Sequence, residues 1–210
     1  MVLCGFKNIC AVKEKSIQLP EKFFLFVGVM KERKNVLNVV RAFFMICKEF
    51  PEYMLVLGGK AQGEYVERIK EYILHEGIES RVIWIGHLND SELSFVYRRA
   101  CALVFASFIE GFGYPVLEAM ACGTPVITSR FTSLGEICKN ESALLVDPAD
   151  MREIAGAMKR MIQETELRAS LVDHGYEQVK KFSWEKAGKD MVECILSLRG
   201  VAVTKQSFYE

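Results

Sequence analysis

At 210 residues, half of them apolar and about a quarter charged, the chain has the size and composition of one globular domain with its own core. Lysine plus arginine number 27 and so do aspartate plus glutamate, so no net basic field argues for nucleic acid as a partner. No apolar run reaches transmembrane length and the N-terminus lacks a signal-peptide pattern, while the three histidines, at 75, 87 and 174, show no metal-ligand spacing. The seven cysteines include no C-x-x-C pair and read as buried, reduced thiols of a cytosolic protein.

In chain order, residues 1–22 read as a lead-in, and Phe23–Met30 as a buried strand. A polar loop K-E-R-K-N follows, with Asn35 placed to cap a helix that runs to about Phe50. Tyr53–Gly59 is a second strand, and Glu64–His75 an amphipathic helix with Val66, Ile69, Ile73 and Leu74 turned inward. Arg81–Gly86 is a third strand, followed by a helix for which Asp90 or Ser91 is the expected cap.

The most informative stretch runs from Cys101 to Arg130. C-A-L-V-F-A-S is an apolar run suited to a strand buried on both faces, and E-G-F-G after it is a turn. Pro115 opens a helix, Gly123 and Pro125 end it, and P-V-I-T-S is the fifth strand. A short helix around Ser133–Cys138 and a sixth strand in A-L-L-V-D-P come next. Three helical segments, Asp150–Gln163, Glu166–Lys181 and Trp184–Leu198, precede a tail at residues 200–210. Residues 23–199 are thus expected to form the domain.

Strands alternating with helices imply an α/β fold: a doubly wound, Rossmann-like, six-stranded parallel sheet in the order 3-2-1-4-5-6. In that order strands one and four are neighbours where the winding reverses, and ligands bind in the crevice at the strand ends there. The loops meeting at it are Val29–Asn35 and Phe108–Tyr114. The second presents glycines and a helix N-terminus, an arrangement that favours an anion, most often a phosphate. It is not the dinucleotide fingerprint, because G-F-G-Y-P has a proline where G-x-G-x-x-G needs its third glycine. Arg33 and Lys34 face this turn as a cationic clamp for a diphosphate, the alternative being two solvated loop charges.

The segment E-G-F-G-Y-P-V-L-E, with A-M-A-C-G-T-P-V-I after it, resembles the E-x7-E motif of retaining nucleotide-sugar glycosyltransferases of group 1 (family 4), the glycogen-synthase and sucrose-synthase type. S-L-G-E-I-C, A-L-L-V-D-P and the closing W-E-K-A helix are also similar to that family, so the resemblance covers roughly Phe23–Leu198. Where the family commonly has G-R-L and then a lysine, this chain has Gly28-Val29-Met30, with Lys34 at the lysine position and Arg33 placed to supply the missing charge.

The resemblance implies that Glu110 contacts the transferred sugar and stabilises an oxocarbenium-like transition state. It implies that Glu118 bonds the donor ribose, and that Gly111, Phe112, Gly113 and Tyr114 hold sugar and diphosphate. Gly28, Arg33 and Lys34 would complete the donor site, with the base near His87. A nucleotide sugar is then the substrate, with GDP and UDP both open, a saccharide or lipid is the acceptor, and no metal or other cofactor is needed. The family's GT-B fold has two facing domains. This chain would be a single GT-B half, the donor-binding one, its N-terminal acceptor domain separate or missing, and without that domain it would be inactive. A cytoplasmic protein, peripheral at the inner face of the membrane, fits such a role. The alternatives are a non-catalytic nucleotide-sugar-binding or partner subunit of a split enzyme, and a sugar-nucleotide epimerase-like protein.

Overall fold

In a computed structural model of the chain, residues 17–198 are described. The expected tail, and all but the end of the expected lead-in, lie outside them. The chain divides into two units, one of residues 8–179 and one comprising residues 1–7 with 180–210.

The first unit holds the whole sheet. Its strands are β1 (Lys22–Val27), β2 (Tyr53–Gly58), β3 (Val82–Gly86), β4 (Ala102–Phe105), β5 (Val126–Ser129) and β6 (Leu144–Val146). All pair in parallel, in the order β3-β2-β1-β4-β5-β6 expected from the alternation of elements. The helices of this unit are α1 (Val36–Cys47), α2 (Glu64–His75), α3 (Asp90–Arg99), α4 (Tyr114–Ala121), α5 (Thr132–Ile137), α6 (Met151–Gln163) and α7 (Thr165–Val179). Helix α1 packs against α2 and α6, whereas α4 packs against α3 and α7, which gives the two covering layers of a doubly wound sheet. Short 3-10 turns at Glu32–Lys34 and Glu79–Arg81 were not foreseen.

β1 is the centre of the core. Phe23, Phe24, Leu25 and Phe26 are fully buried, as a strand covered on both faces requires. Phe26 stacks on Phe105 of β4 with ring centroids 5.9 Å apart. β1 pairs with β2 along its whole length, from Lys22–Tyr53 to Val27–Gly58. Its ladder with β4 covers only Phe24–Ala102 and Leu25–Leu103, so the two strands part toward their C-terminal ends. On the other side of β1 the chains stay close: a Cβ on Gly59 would stand 2.2 Å from the carbonyl oxygen of Gly28, and only glycine fits there.

Four expectations need correction. Asn35 does not cap α1 with its side chain; it sits in the left-handed region at φ 59°, and its amide is used elsewhere. The cap of α3 is Asn89, one residue before the expected pair, in a reciprocal capping box with Glu92. Leu74 is 66% exposed, because it lies a full helical step off the stripe of Val66, Ile69 and Ile73. Cys47 and Cys138 are buried free thiols and Cys194 an exposed one, but Cys122 is disulfide-bonded, so reduced thiols throughout do not hold.

The second unit contributes α8 (Trp184–Leu198), whose surface carries the ion pairs Lys186–Asp190 at 3.0 Å and Lys189–Glu185 at 2.9 Å. Among the described residues no helix is long and apolar enough to cross a membrane.

Replacing Phe26 by alanine removes the ring that joins β1 to β4, and urea denaturation should show a loss of about 3–5 kcal/mol.

Candidate active site

The parting of β1 and β4 leaves a gap that is filled by polar groups from the two loops. Asn35 is 98% buried there, and its Nδ2 donates to the carbonyl oxygens of Ala106, 2.9 Å away, and Pro148, 2.6 Å away. One amide thus ties the loop after β1 to the ends of β4 and β6. The Phe108 N–H donates to the Arg33 carbonyl at 2.9 Å, and the Arg33 guanidinium reaches the Ile109 carbonyl at 3.4 Å, closing the two loops on each other.

These ties bring the predicted charges together. Lys34 Nζ forms a short ion pair with Glu110 Oε1, and Arg33 stands 3.6 Å from Glu110 Oε2. The Lys34 and Glu110 side chains are only 11% and 8% exposed, while Arg33 is half exposed. Neither cation reading made from sequence alone describes both residues. Lys34 is a buried partner that also lies over the Phe105 ring, 4.8 Å from its centroid, whereas Arg33 is at the rim. Ser133 of α5 donates to the Glu110 carbonyl at 3.1 Å, which fixes the backbone that carries the carboxylate.

The turn then leads into α4 through Gly113, at φ 108°, with Pro115 in the first helical turn. The backbone angle of Gly113 demands glycine, and a Cβ there would also meet Leu134 Cδ2 at 2.6 Å and push that side chain aside. The N-terminus of α4, with the unpartnered backbone donors and the positive dipole end of any helix start, thus follows directly on the loop that carries Glu110. Phe112 is buried, edge-to-face with the half-exposed Tyr114 at 4.8 Å.

Glu118, one turn along α4, is not a solvated first-turn carboxylate. It is half buried, and the Tyr97 hydroxyl on α3 donates to its Oε2 at 3.1 Å. Burial raises the Glu118 carboxyl above the usual range; the Tyr97 hydrogen bond opposes that shift, and Asp90 adds to it. Tyr97 itself is pushed well above its ordinary value by complete burial and by the Glu118 charge. Tyr97 was not singled out from the sequence, where it reads as one more apolar residue of α3.

His87 is exposed, just beyond β3, and lines a cavity of about 360 Å³ with Gly59, Lys60, Gln62, Trp84 and Gly86 at the C-terminal ends of β2 and β3. Gly28 ends β1 at φ 148°, its N–H bonded to the Gly58 carbonyl at 3.0 Å. A larger cavity of about 540 Å³, bordered by Lys22, Tyr53, Arg99, Cys101 and Arg168, opens at the opposite, N-terminal ends of the strands, away from the switch point. Among the described residues no group of three or more His, Cys, Asp or Glu side chains gathers in a way that could hold a metal ion.

The family described as glycosyl transferases group 1 matches residues 11–178. The chain belongs to that family. O-antigen chain mannosyltransferase B of Escherichia coli is 33% identical to it over 165 residues, which is 78% of this chain and 42% of that protein. Sucrose-phosphate synthase from Thermosynechococcus elongatus superposes with a TM-score of 0.77 at 27% identity, over 94% of this chain and 52% of that one. Anabaena HepE, solved in complex with UDP-glucose, shares the fold with a TM-score of 0.75 at 22% identity, over 83% of this chain and 48% of it. The chain spans less than half the length of the curated relatives it matches.

Two measurements probe this geometry. Lys34→Met leaves the buried Glu110 carboxylate with only the half-exposed Arg33, and should lower stability by about 3 kcal/mol, while adding Glu110→Gln should restore most of it; a double-mutant cycle reads the coupling. Glu118, with its pKa raised in the fold, binds its proton more readily folded than unfolded, so it lowers stability as pH rises above the ordinary carboxylate range. The stability of Glu118→Gln relative to the native chain should therefore increase from about pH 4 upward, as read by denaturation at a series of pH values.

Proposed function

We propose that this chain is the donor-binding half of a retaining glycosyltransferase that moves a hexose from a GDP- or UDP-linked donor to a saccharide or lipid acceptor. The observation that carries this reading is the meeting of Arg33 and Lys34 with Glu110 at the switch point, on the loop that leads into the N-terminus of α4. A buried, fixed cation next to a helix N-terminus is suited to the charge that grows on a nucleoside diphosphate as it leaves. On this reading Lys34 and Arg33 hold the diphosphate without a metal, Gly111–Tyr114 cradle it and the sugar, and the ribose pairs with Glu118. The 360 Å³ cavity beside His87 takes the base.

Glu110 is placed to face the transferred sugar. As the bond from the anomeric carbon to the diphosphate oxygen breaks, positive charge spreads over that carbon and the ring oxygen, and a nearby carboxylate stabilises it. Its ion pair with Lys34 keeps the two opposite charges next to each other, so that one serves the sugar and the other the leaving group. The acceptor hydroxyl would enter from the side the diphosphate leaves, its oxygen bonding the anomeric carbon and its proton passing to the departing diphosphate oxygen.

Membership of the group 1 glycosyl transferases weighs against the epimerase-like alternative. The short span relative to the relatives supports a division of labour, in which a second domain or a separate chain holds the acceptor. A non-catalytic donor-binding subunit would have the same donor site, and turnover by the chain alone would exclude it. A cytoplasmic protein at the inner membrane face is the setting we propose. The mannosyltransferase relative and the UDP-glucose complex keep both mannose and glucose in view as the hexose.

Calorimetric titration of the chain with UDP and with GDP should show saturable binding of one of them, unchanged by EDTA. Glu118→Ala should weaken it at least about tenfold, the scale of lost hydrogen bonds to a charged group. Absence of binding to either nucleotide would overturn the reading.

A further inference from the structure

The carboxylate assigned to the ribose is held from behind. Tyr97 is fully buried between α3 and the sheet, among the largest side chains with no exposure at all. Its hydroxyl is nevertheless spent on one partner, Glu118 Oε2, at 3.1 Å. Its backbone is fixed in turn, because Thr124 Oγ1 donates to the Tyr97 carbonyl at 2.7 Å. Thr124 is itself buried, just past the end of α4. The Tyr97–Glu118 bond therefore spans α3 and α4, and the Thr124 bond ties the segment after α4 back to α3.

A lone carboxylate in a half-buried position has two ways to fail as a receptor for a vicinal diol. It can rotate about its terminal torsion, which is broad for a glutamate, or it can take up a proton and lose an acceptor. Both matter here. Oε1 accepts no hydrogen bond among the described residues, and burial with Asp90 nearby pushes the group toward its neutral form. A phenol hydroxyl that donates to Oε2 counters both at once: it fixes the carboxylate plane and favours the ionised state. Each carboxylate oxygen accepts more than one hydrogen bond, so Oε2 keeps capacity for a ligand hydroxyl after Tyr97 has taken its share.

We infer that Tyr97 is a positioning residue for ribose recognition, holding the Glu118 carboxylate in the orientation that reads the two hydroxyls of a ribonucleoside diphosphate. Tyr97 does not touch the nucleotide; it acts through Glu118. The inference rests on the proposed donor site, and extends it to a residue outside the crevice.

The test uses the whole chain, and whichever of UDP or GDP it binds, beside the 2′-deoxy and 3′-deoxy forms of the same nucleotide. In the native chain both deoxy forms should bind more weakly, because each leaves part of the carboxylate unmatched. Tyr97→Phe keeps the ring and its packing and removes only the hydroxyl. It should raise the Kd of the ribonucleotide about tenfold while leaving those of the deoxy forms nearly unchanged, so that discrimination between them collapses. The ratio is taken within one variant, so a general loss of stability does not mimic it. An equal loss for ribo- and deoxynucleotides, or no loss, overturns the positioning role. Glu118→Ala separates the two ideas. If it abolishes discrimination and Tyr97→Phe does not, the donor site stands and the role of Tyr97 falls. If Glu118→Ala leaves discrimination intact, or if no nucleotide binds, the donor-site reading falls and takes the inference with it.

Discussion

The mouth of this molecule depends on one topological constraint: the winding of the sheet reverses between β1 and β4. The crossovers that leave these neighbouring strands run in opposite directions, so nothing in the regular structure fills the space above their ends. The β1–β4 ladder stops at Leu25–Leu103, and what occupies the gap must come from the loops. Loop carbonyls brought into such a place need donors, and Asn35 supplies two from a single amide. That requirement explains its left-handed backbone, which asparagine tolerates better than most residues. It also explains why Lys34, the residue before it, is carried inward beside Glu110 and does not reach into solvent as its flanking charges would suggest.

The legible part of the sequence was the part controlled by period and punctuation. Alternating apolar runs and helical stripes, with glycine and proline between them, gave six strands in the right order, since right-handed crossovers leave few topologies. The E-G-F-G-Y-P turn was legible for a local reason: its glycines and proline report backbone angles that the residues themselves impose. What stayed hidden was set by tertiary partners. Asn35 looked like a cap because asparagine before a helix usually is one, but its side chain is turned so that Nδ2 donates to two distant carbonyls, and Oδ1 caps nothing. Lys34 and Arg33 look alike in K-E-R-K-N, yet one is buried under Phe105 and the other is half exposed. The Tyr97 hydroxyl is silent in a helical pattern that registers only the apolar ring. The Cys122 disulfide carried no spacing signal.

The two glutamates of the motif, eight residues apart, show how the same side chain is given different chemistry by what surrounds it. Glu110 leaves β4 in a loop and meets two cations, one of them as buried as itself. Removing either charge from such a pair leaves the other buried and poorly compensated. Glu118 sits on a helix and meets a neutral phenol, with a further acid at a distance. Its ionised form is disfavoured by burial and is sustained by a hydrogen bond alone.

That contrast bears on the division of roles proposed for them. A group that is to steady a growing positive charge in a transition state must be held in place, and the ion pair with Lys34 fixes the Glu110 carboxylate. A group that must recognise a neutral diol needs acceptor geometry more than charge. A carboxylate balanced between burial and one well-placed donor is selective because a ligand hydroxyl, unlike a simple ion, completes its hydrogen bonding without adding charge. The spacing of the motif places the first carboxylate on the loop that the cations reach, and the second on the helix face that Tyr97 backs. On the proposed reading, the loop from Glu110 and the first turn of α4 together span the sugar and the ribose of one bound donor, and Gly113, packed against Leu134, fixes where the one joins the other.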